Sequence, residues 1–198
     1  MSVFNKLPIY KALICADDEG LMKISLVDQP AVLSSFVAFD KNKEHLKFSV
    51  QDEEQRIIIG CLMRCDFPIY RYTKELGEFY ITYSADVIKQ MSQKMFKDGN
   101  QNNINLMHQE DSDVDGVEMF QCFIKDDEKG ISPVGFEDIE NGSLFAAFKV
   151  ENDEVWKSIK DGTFSGYSLE GCFELELVED EEDKEINEII DLISKIIK

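Results

Sequence analysis

The chain lacks any uninterrupted apolar run near the ~18 residues needed to span a bilayer, so its sequence encodes no membrane-crossing helix. It is equally short of basic residues: 21 Lys and Arg stand against 40 Asp and Glu, for a net charge of −19. A polyanion of that density is repelled by phosphate backbones, which argues against nucleic acid as a main partner. Only 4 prolines and 11 glycines are spread over 198 residues, too few for a long disordered tract through the body. The N-terminal residues Met1–Pro8 have no apolar h-region, so the expectation is a soluble protein that works inside a cell. Cysteine is scarce and scattered. Cys15, Cys61, Cys65, Cys122 and Cys172 are odd in number and lack zinc-ligand spacing, which reads as reduced thiols rather than a disulfide frame or a metal knuckle.

Histidine is the scarcest group of chemical interest, with His45 and His108 alone. A serine nucleophile needs a neighbour to take its proton, and imidazole is the side chain suited to that near neutral pH. His45 lies in a polar stretch between Glu44 and Lys47 and reads as solvated. His108 ends the segment Asn105-Leu106-Met107-His108, and 60 positions later comes Ser168 in Gly166-Tyr167-Ser168-Leu169-Glu170-Gly171. Ser165 is the alternative serine of that region, and a serine beside glycine is ordinarily a turn residue.

The pattern of apolar residues predicts a mainly β chain. Strands are expected over 21–27, 32–39, 56–65, 78–83, 117–125 and 143–150, with a turn and a strand over 164–178. The Phe67–Tyr70 stretch reads as a break. A helix is expected behind the N-cap Ser84, burying Val87, Ile88, Met91 and Met95 and stopping at Gly99. A shorter one follows Asn152 or Asp153, carries Val155, Trp156 and Ile159, and ends at Gly162. Ile104–Met107 is short and apolar, so His108 should stand at a strand end. Asp111, Asp113, Asp115 and Gly116 match the opening half of a calcium loop, but Cys122 stands where the bidentate glutamate belongs, and a solvated loop is the expectation. The chain divides into a body over 1–178, an acidic linker over 179–185 and an amphipathic C-terminal helix over 186–198, whose isoleucine face either folds back or pairs with another helix.

Three blocks carry a resemblance. They are Lys23–Ala31; Pro68–Arg71 with Tyr80–Ser84 and Asn102–His108; and Lys149-Val150 through Trp156 to Gly166–Phe173. In content and order they resemble the XkdF-type serine proteases of tailed phages, a branch of the prohead maturation proteases similar in fold to herpesvirus assemblin. The resemblance implies an α+β, mainly β fold, with a closed or nearly closed barrel flanked by helices. It implies a serine endopeptidase without cofactor or metal, acting in the procapsid assembled in the host cytoplasm. Its substrates would be scaffolding protein, the major capsid protein and the enzyme itself. Carried over residue by residue, Ser168 is the nucleophile and His108 the general base. The third member is fixed by no matched motif; Glu170 and Glu174 are the acidic candidates, Glu170 because residues two apart share one face of a strand. Gly166 and Gly171 are candidates for letting a substrate backbone approach or for supplying oxyanion amides. Leu144 departs from the family pattern, where tryptophan is expected. The competing readings are an inactive protease-like domain kept for scaffold binding and a Cys-His peptidase using Cys172 or Cys122. The C-terminal helix is a candidate for self-association or scaffold pairing.

Overall fold

The structure is a computed structural model that describes residues 7–14, 20–28, 49–52, 55–109, 111–172 and 174–178. The expected strand over 32–39, His45, Cys15, the acidic linker 179–185 and the C-terminal helix 186–198 lie outside the described residues.

Eleven described strands run β1 (Ile9–Leu13), β2 (Gly20–Val27), β3 (Ser49–Asp52), β4 (Ile57–Met63), β5 (Ile69–Thr73), β6 (Gly77–Thr82), β7 (Ile104–Leu106), β8 (Val117–Ile124), β9 (Leu144–Val150), β10 (Gly166–Cys172) and β11 (Glu174–Leu177). With two α-helices, α1 (Ala85–Asp98) and α2 (Asp153–Lys160), the chain is α+β and mainly β, as expected. A closed barrel is not seen among the described residues. Among the described residues the strands form three sheets, ordered β11-β1-β6-β5, β10-β2-β7 and β3-β4-β9-β8, and no sheet closes on itself. The short β7 pairs with β2 over three residues only, which ends that sheet after three strands.

Burial explains which strands are central. In β9, six of the seven residues are buried, and Ala146 and Ala147 are wholly so. One face packs in the main core with Ile58, Met91 and Trp156; the other meets Ile59, Phe136 and Ile139. A strand covered on both faces must be largely apolar; β4 is so throughout, and β9 is except at the half-buried Lys149 near its end. Phe145 anchors the smaller cluster, stacked on Phe123 at 5.6 Å and met edge-on by Phe136 at 5.2 Å.

Helix α1 forms where its end signals place it. The Ser84 side chain accepts from Val87 N, and Gly99 takes the left-handed conformation at φ 79° that the C-terminal turn requires. Its buried stripe is Val87, Ile88, Met91 and Met95. The Asn152 side chain caps α2 by accepting from Glu154 N and Val155 N. The break expected at Phe67–Tyr70 is instead the entry to β5: Pro68 has no N–H to give and stands just before the first paired residue, Ile69. The single strand expected over 164–178 is two strands, β10 and β11, in different sheets.

The join between β10 and its neighbour β2 is tight. A register shift follows Glu170, and a Cβ on Gly171 would stand 2.4 Å from the Gly20 carbonyl oxygen. Backbone cannot yield as a side-chain tip can, so glycine is required there. Gly171→Ala is expected to destabilise the protein by about 2 kcal/mol or more, visible as a lower thermal midpoint; an unchanged midpoint would contradict this close approach.

Candidate active site

Three strands of one sheet bring the site together. In the β10–β2 pairing Ser168 lies directly opposite Ser25, and in the parallel β2–β7 pairing Ser25 lies beside Asn105. Directly paired residues share a face, and Glu170, two positions after Ser168, shares it as well. One face of this sheet therefore carries Ser168 and Glu170 from β10, Ser25 from β2 and Asn105 from β7.

His108 reaches the same face from the turn that follows β7. Met107 and His108 both have positive φ, 54° and 56°, which branched and bulky side chains seldom adopt. The turn closes with Gln109 N donating to Leu106 O at 3.1 Å, and Met107 N donates to Leu26 O at 3.0 Å. The Ser112 hydroxyl pins it further, 2.8 Å from Leu106 O and 2.7 Å from Gln109 O. Two consecutive left-handed residues are a local strain of the kind that surrounding contacts must hold in place. Here the turn carries the imidazole back over the sheet.

The ring is engaged through Nδ1. It lies 2.8 Å from Glu170 Oε1 and 3.0 Å from Ser25 Oγ. A carboxylate accepts only, so Nδ1 carries a proton and donates; in the neutral ring Nε2 is then the acceptor, on the far side. Glu170 Oε1 also takes hydrogen bonds from Asn105 Nδ2 at 2.8 Å and from Ser25 Oγ at 3.0 Å. The Ser25 hydroxyl also faces Asn105 Oδ1, so its single proton is shared between the amide and carboxylate oxygens. Ser25 and Asn105 are buried, whereas the His108 and Glu170 side chains are about 40% exposed. The arrangement is thus a buried amide–hydroxyl pair holding a carboxylate that holds an imidazole.

Burial pushes the Glu170 carboxyl up, but the hydrogen bonds from Asn105, His108 and Ser25 outweigh it and hold the group below its ordinary value of 4.5. A depressed carboxyl stabilises the fold above its unfolded pKa, and that contribution is lost as pH falls through the folded pKa. Asn105→Ala removes one donor. It is expected to move the Glu170 titration, followed by carboxyl-carbon NMR, up toward 4.5 and to narrow the acid-side loss of stability; no movement would mean the Asn105 bond does not act on the carboxylate.

Ser168 is 5% exposed and borders a cavity of about 510 Å³. Its decoy Ser165 is occupied elsewhere, the hydroxyl donating to Asp28 O at 2.6 Å. Glu174 is exposed and sits in β11, opposite Leu13 in another sheet, away from His108's sheet. Gly166 begins β10, and Gly171 occupies the bulge described above. Asp113 of the acidic loop forms an ion pair with Lys23 at 2.6 Å. Burial pushes the Cys122 thiol up to about 11, although Ser92 pulls the other way, so little thiolate exists there at neutral pH.

Two residues of the cluster went unassigned in the sequence. Asn105 stands inside the Asn-x-x-His segment, and Ser25 is the lone polar residue in Ile24-Ser25-Leu26-Val27, an apolar strand that would otherwise read as pure core. A hydroxyl at a core position is the signal that marks it, because a buried polar group must find a partner.

No curated protein and no solved structure matches the chain. Residues 45–176 match one family model, described as putative phage serine protease XkdF. That span holds Asn105, His108, Ser168 and Glu170 and leaves out Ser25.

Proposed function

Because the chain belongs to this phage serine protease family, we propose that it is a serine endopeptidase in which Ser168 is the nucleophile and His108 the general base. The observation that carries the reading is the 2.8 Å contact between His108 Nδ1 and Glu170 Oε1, on the sheet face that also bears Ser168. With Nδ1–H committed to the carboxylate, Nε2 is the basic nitrogen. It takes the Ser168 proton as Oγ attacks the scissile carbonyl and returns it to the leaving amine, leaving an acyl-serine. Water, deprotonated by the same nitrogen, then releases the acid and restores the hydroxyl. Glu170 holds the ring's tautomer and stabilises the imidazolium, while Asn105 and Ser25 keep the carboxylate ionised and fixed. Main-chain amides beside Ser168, with Gly166 leaving room for a peptide backbone, would receive the oxyanion.

As substrates we propose scaffolding protein and the major capsid protein, with self-cleavage as a further step, inside a procapsid assembled in the host cytoplasm. The segment 186–198 would serve as the docking helix toward scaffold or a second copy. The barrel of assemblin-like enzymes, absent among the described strands, is not needed for this chemistry.

The test is chemical labelling. A fluorophosphonate probe added to the full-length chain is expected to modify Ser168, read by mass spectrometry of the digested protein, and His108→Ala is expected to abolish labelling. No adduct on any serine of the folded protein would remove the peptidase reading. A second reading has one observation in its favour: Ser25 is the serine within 3.0 Å of the imidazole. Its contact, however, is to the nitrogen already facing Glu170, and its side chain is fully buried. An adduct on Ser25 would favour it.

A further inference from the structure

Beside Ser168 the cavity is mostly apolar, walled by Leu62, Ile69, Phe79, Ile81 and Leu175, and one cation enters it, Arg71. The strand period explains how. Ile69, Arg71 and Thr73 alternate along β5 and all three line the cavity, so Arg71 occupies an inward position between two inward neighbours. Its guanidinium donates to Tyr70 O at 3.0 Å and hydrogen-bonds the buried Tyr83, whose phenol burial pushes up and Arg71 pulls back only in part. No carboxylate forms an ion pair with Arg71 among the described residues. The other arginines with described ion pairs have theirs: Arg56 with Asp153 and Arg64 with Glu140. Glu170 also borders the cavity, but its Oε1 already accepts from His108, Asn105 and Ser25.

A half-buried cation on an apolar wall is poorly solvated and gains most from an anion brought to it in a fixed geometry. The cavity's volume, about 510 Å³, exceeds what one side chain fills and suits a peptide segment. We propose that this cavity is the specificity subsite of the Ser168 centre, and that Arg71 selects a peptide with an acidic side chain beside the scissile bond, flanked by apolar residues. The inference rests on the peptidase reading above and adds the substrate class to it. The occupant is an acidic peptide rather than a lipid or a nucleotide because the cavity adjoins the proposed nucleophile and offers one cation among aliphatic and aromatic walls, where a polyphosphate needs several.

The experiment is a cleavage survey. Full-length wild-type protein and the Arg71→Glu variant are incubated with a peptide library of randomised sequence, and the products are sequenced by mass spectrometry. Wild type is expected to enrich Asp or Glu at one position adjoining the cut by about tenfold over Gln and Asn. Arg71→Glu is expected to lose that enrichment and gain Lys or Arg at the same position, since reversing the wall's charge reverses the preferred partner. Cleavage by wild type with no charge preference, or an acidic preference that survives Arg71→Glu, overturns the subsite while leaving the peptidase reading intact. No cleavage of any peptide by folded wild type overturns both. Arg71→Leu serves as the second variant should the charge reversal disturb folding: it is expected to cut with the acidic enrichment gone and the apolar preference kept.

Discussion

Ser168→Ala is expected to lower the rate of peptide hydrolysis by about 10⁴-fold or more while leaving the fold unchanged. The hydroxyl borders the cavity, and alanine occupies nearly the same space on an already buried strand position, so little packing is lost. What disappears is the oxygen proposed to form the acyl intermediate. Ser25→Ala makes the informative contrast. That hydroxyl touches Nδ1 and Glu170 rather than the basic side of the ring, so its loss loosens the carboxylate and is expected to slow hydrolysis by roughly tenfold. The ratio of the two defects separates the readings: a dead Ser25→Ala beside an active Ser168→Ala would move the nucleophile to β2. The same pair addresses the assembly-factor alternative. A scaffold-binding domain without hydrolysis would support capsid assembly equally well before and after Ser168→Ala, whereas a protease carrying that substitution would leave scaffold and capsid protein uncut. Peptide turnover by the purified chain, followed by mass spectrometry, settles the first question, and gel analysis of procapsids the second.

The local half of this site was open to reading in the chain, and the non-local half was not. Helix α1 announces itself through Ser84, a four-residue apolar stripe and Gly99, all within 16 positions. The placing of His108 just past a short strand follows from Ile104–Leu106 in the same way, and the relation of Glu170 to Ser168 needs only the two-residue period of a strand. Nothing local joins Ser25 to Asn105, which are 80 positions apart and meet through a three-residue parallel pairing. Parallel register is chosen by the whole core, so a polar residue in each of two strands does not reveal that they face one another. Barrel closure is not legible for a related reason. Closure depends on every edge finding a partner, and β5 and β10, whose sequences look like other half-buried strands, end as sheet edges among the described residues. Pro68 misled at short range, since a proline that interrupts a strand and one that precedes it have the same neighbours in sequence.

Glu170→Gln is expected to reduce kcat by about 100-fold with little change in KM, and Glu170→Ala by about 1000-fold. The difference follows from how the carboxylate is used. All three hydrogen bonds converge on one oxygen, Oε1: from His108 Nδ1, from Asn105 Nδ2 and from Ser25 Oγ. An amide oxygen in that place can accept the same three bonds, so glutamine preserves the ring's orientation and its Nδ1–H tautomer. Only the negative charge is lost, and with it the stabilisation of the imidazolium that the proposed proton transfer from Ser168 would form. Alanine removes the acceptor as well, leaving the buried Asn105 amide and the ring N–H without their partner and the imidazole free to turn. If the carboxylate served only to tie β7 to β10, both variants would lose thermal stability in proportion to activity, and KM would rise with them. Stopped-flow acylation rates alongside thermal midpoints distinguish the two: a Glu170→Gln chain that melts like wild type yet acylates slowly places the charge in the reaction, and one that acylates at the wild-type rate removes Glu170 from it.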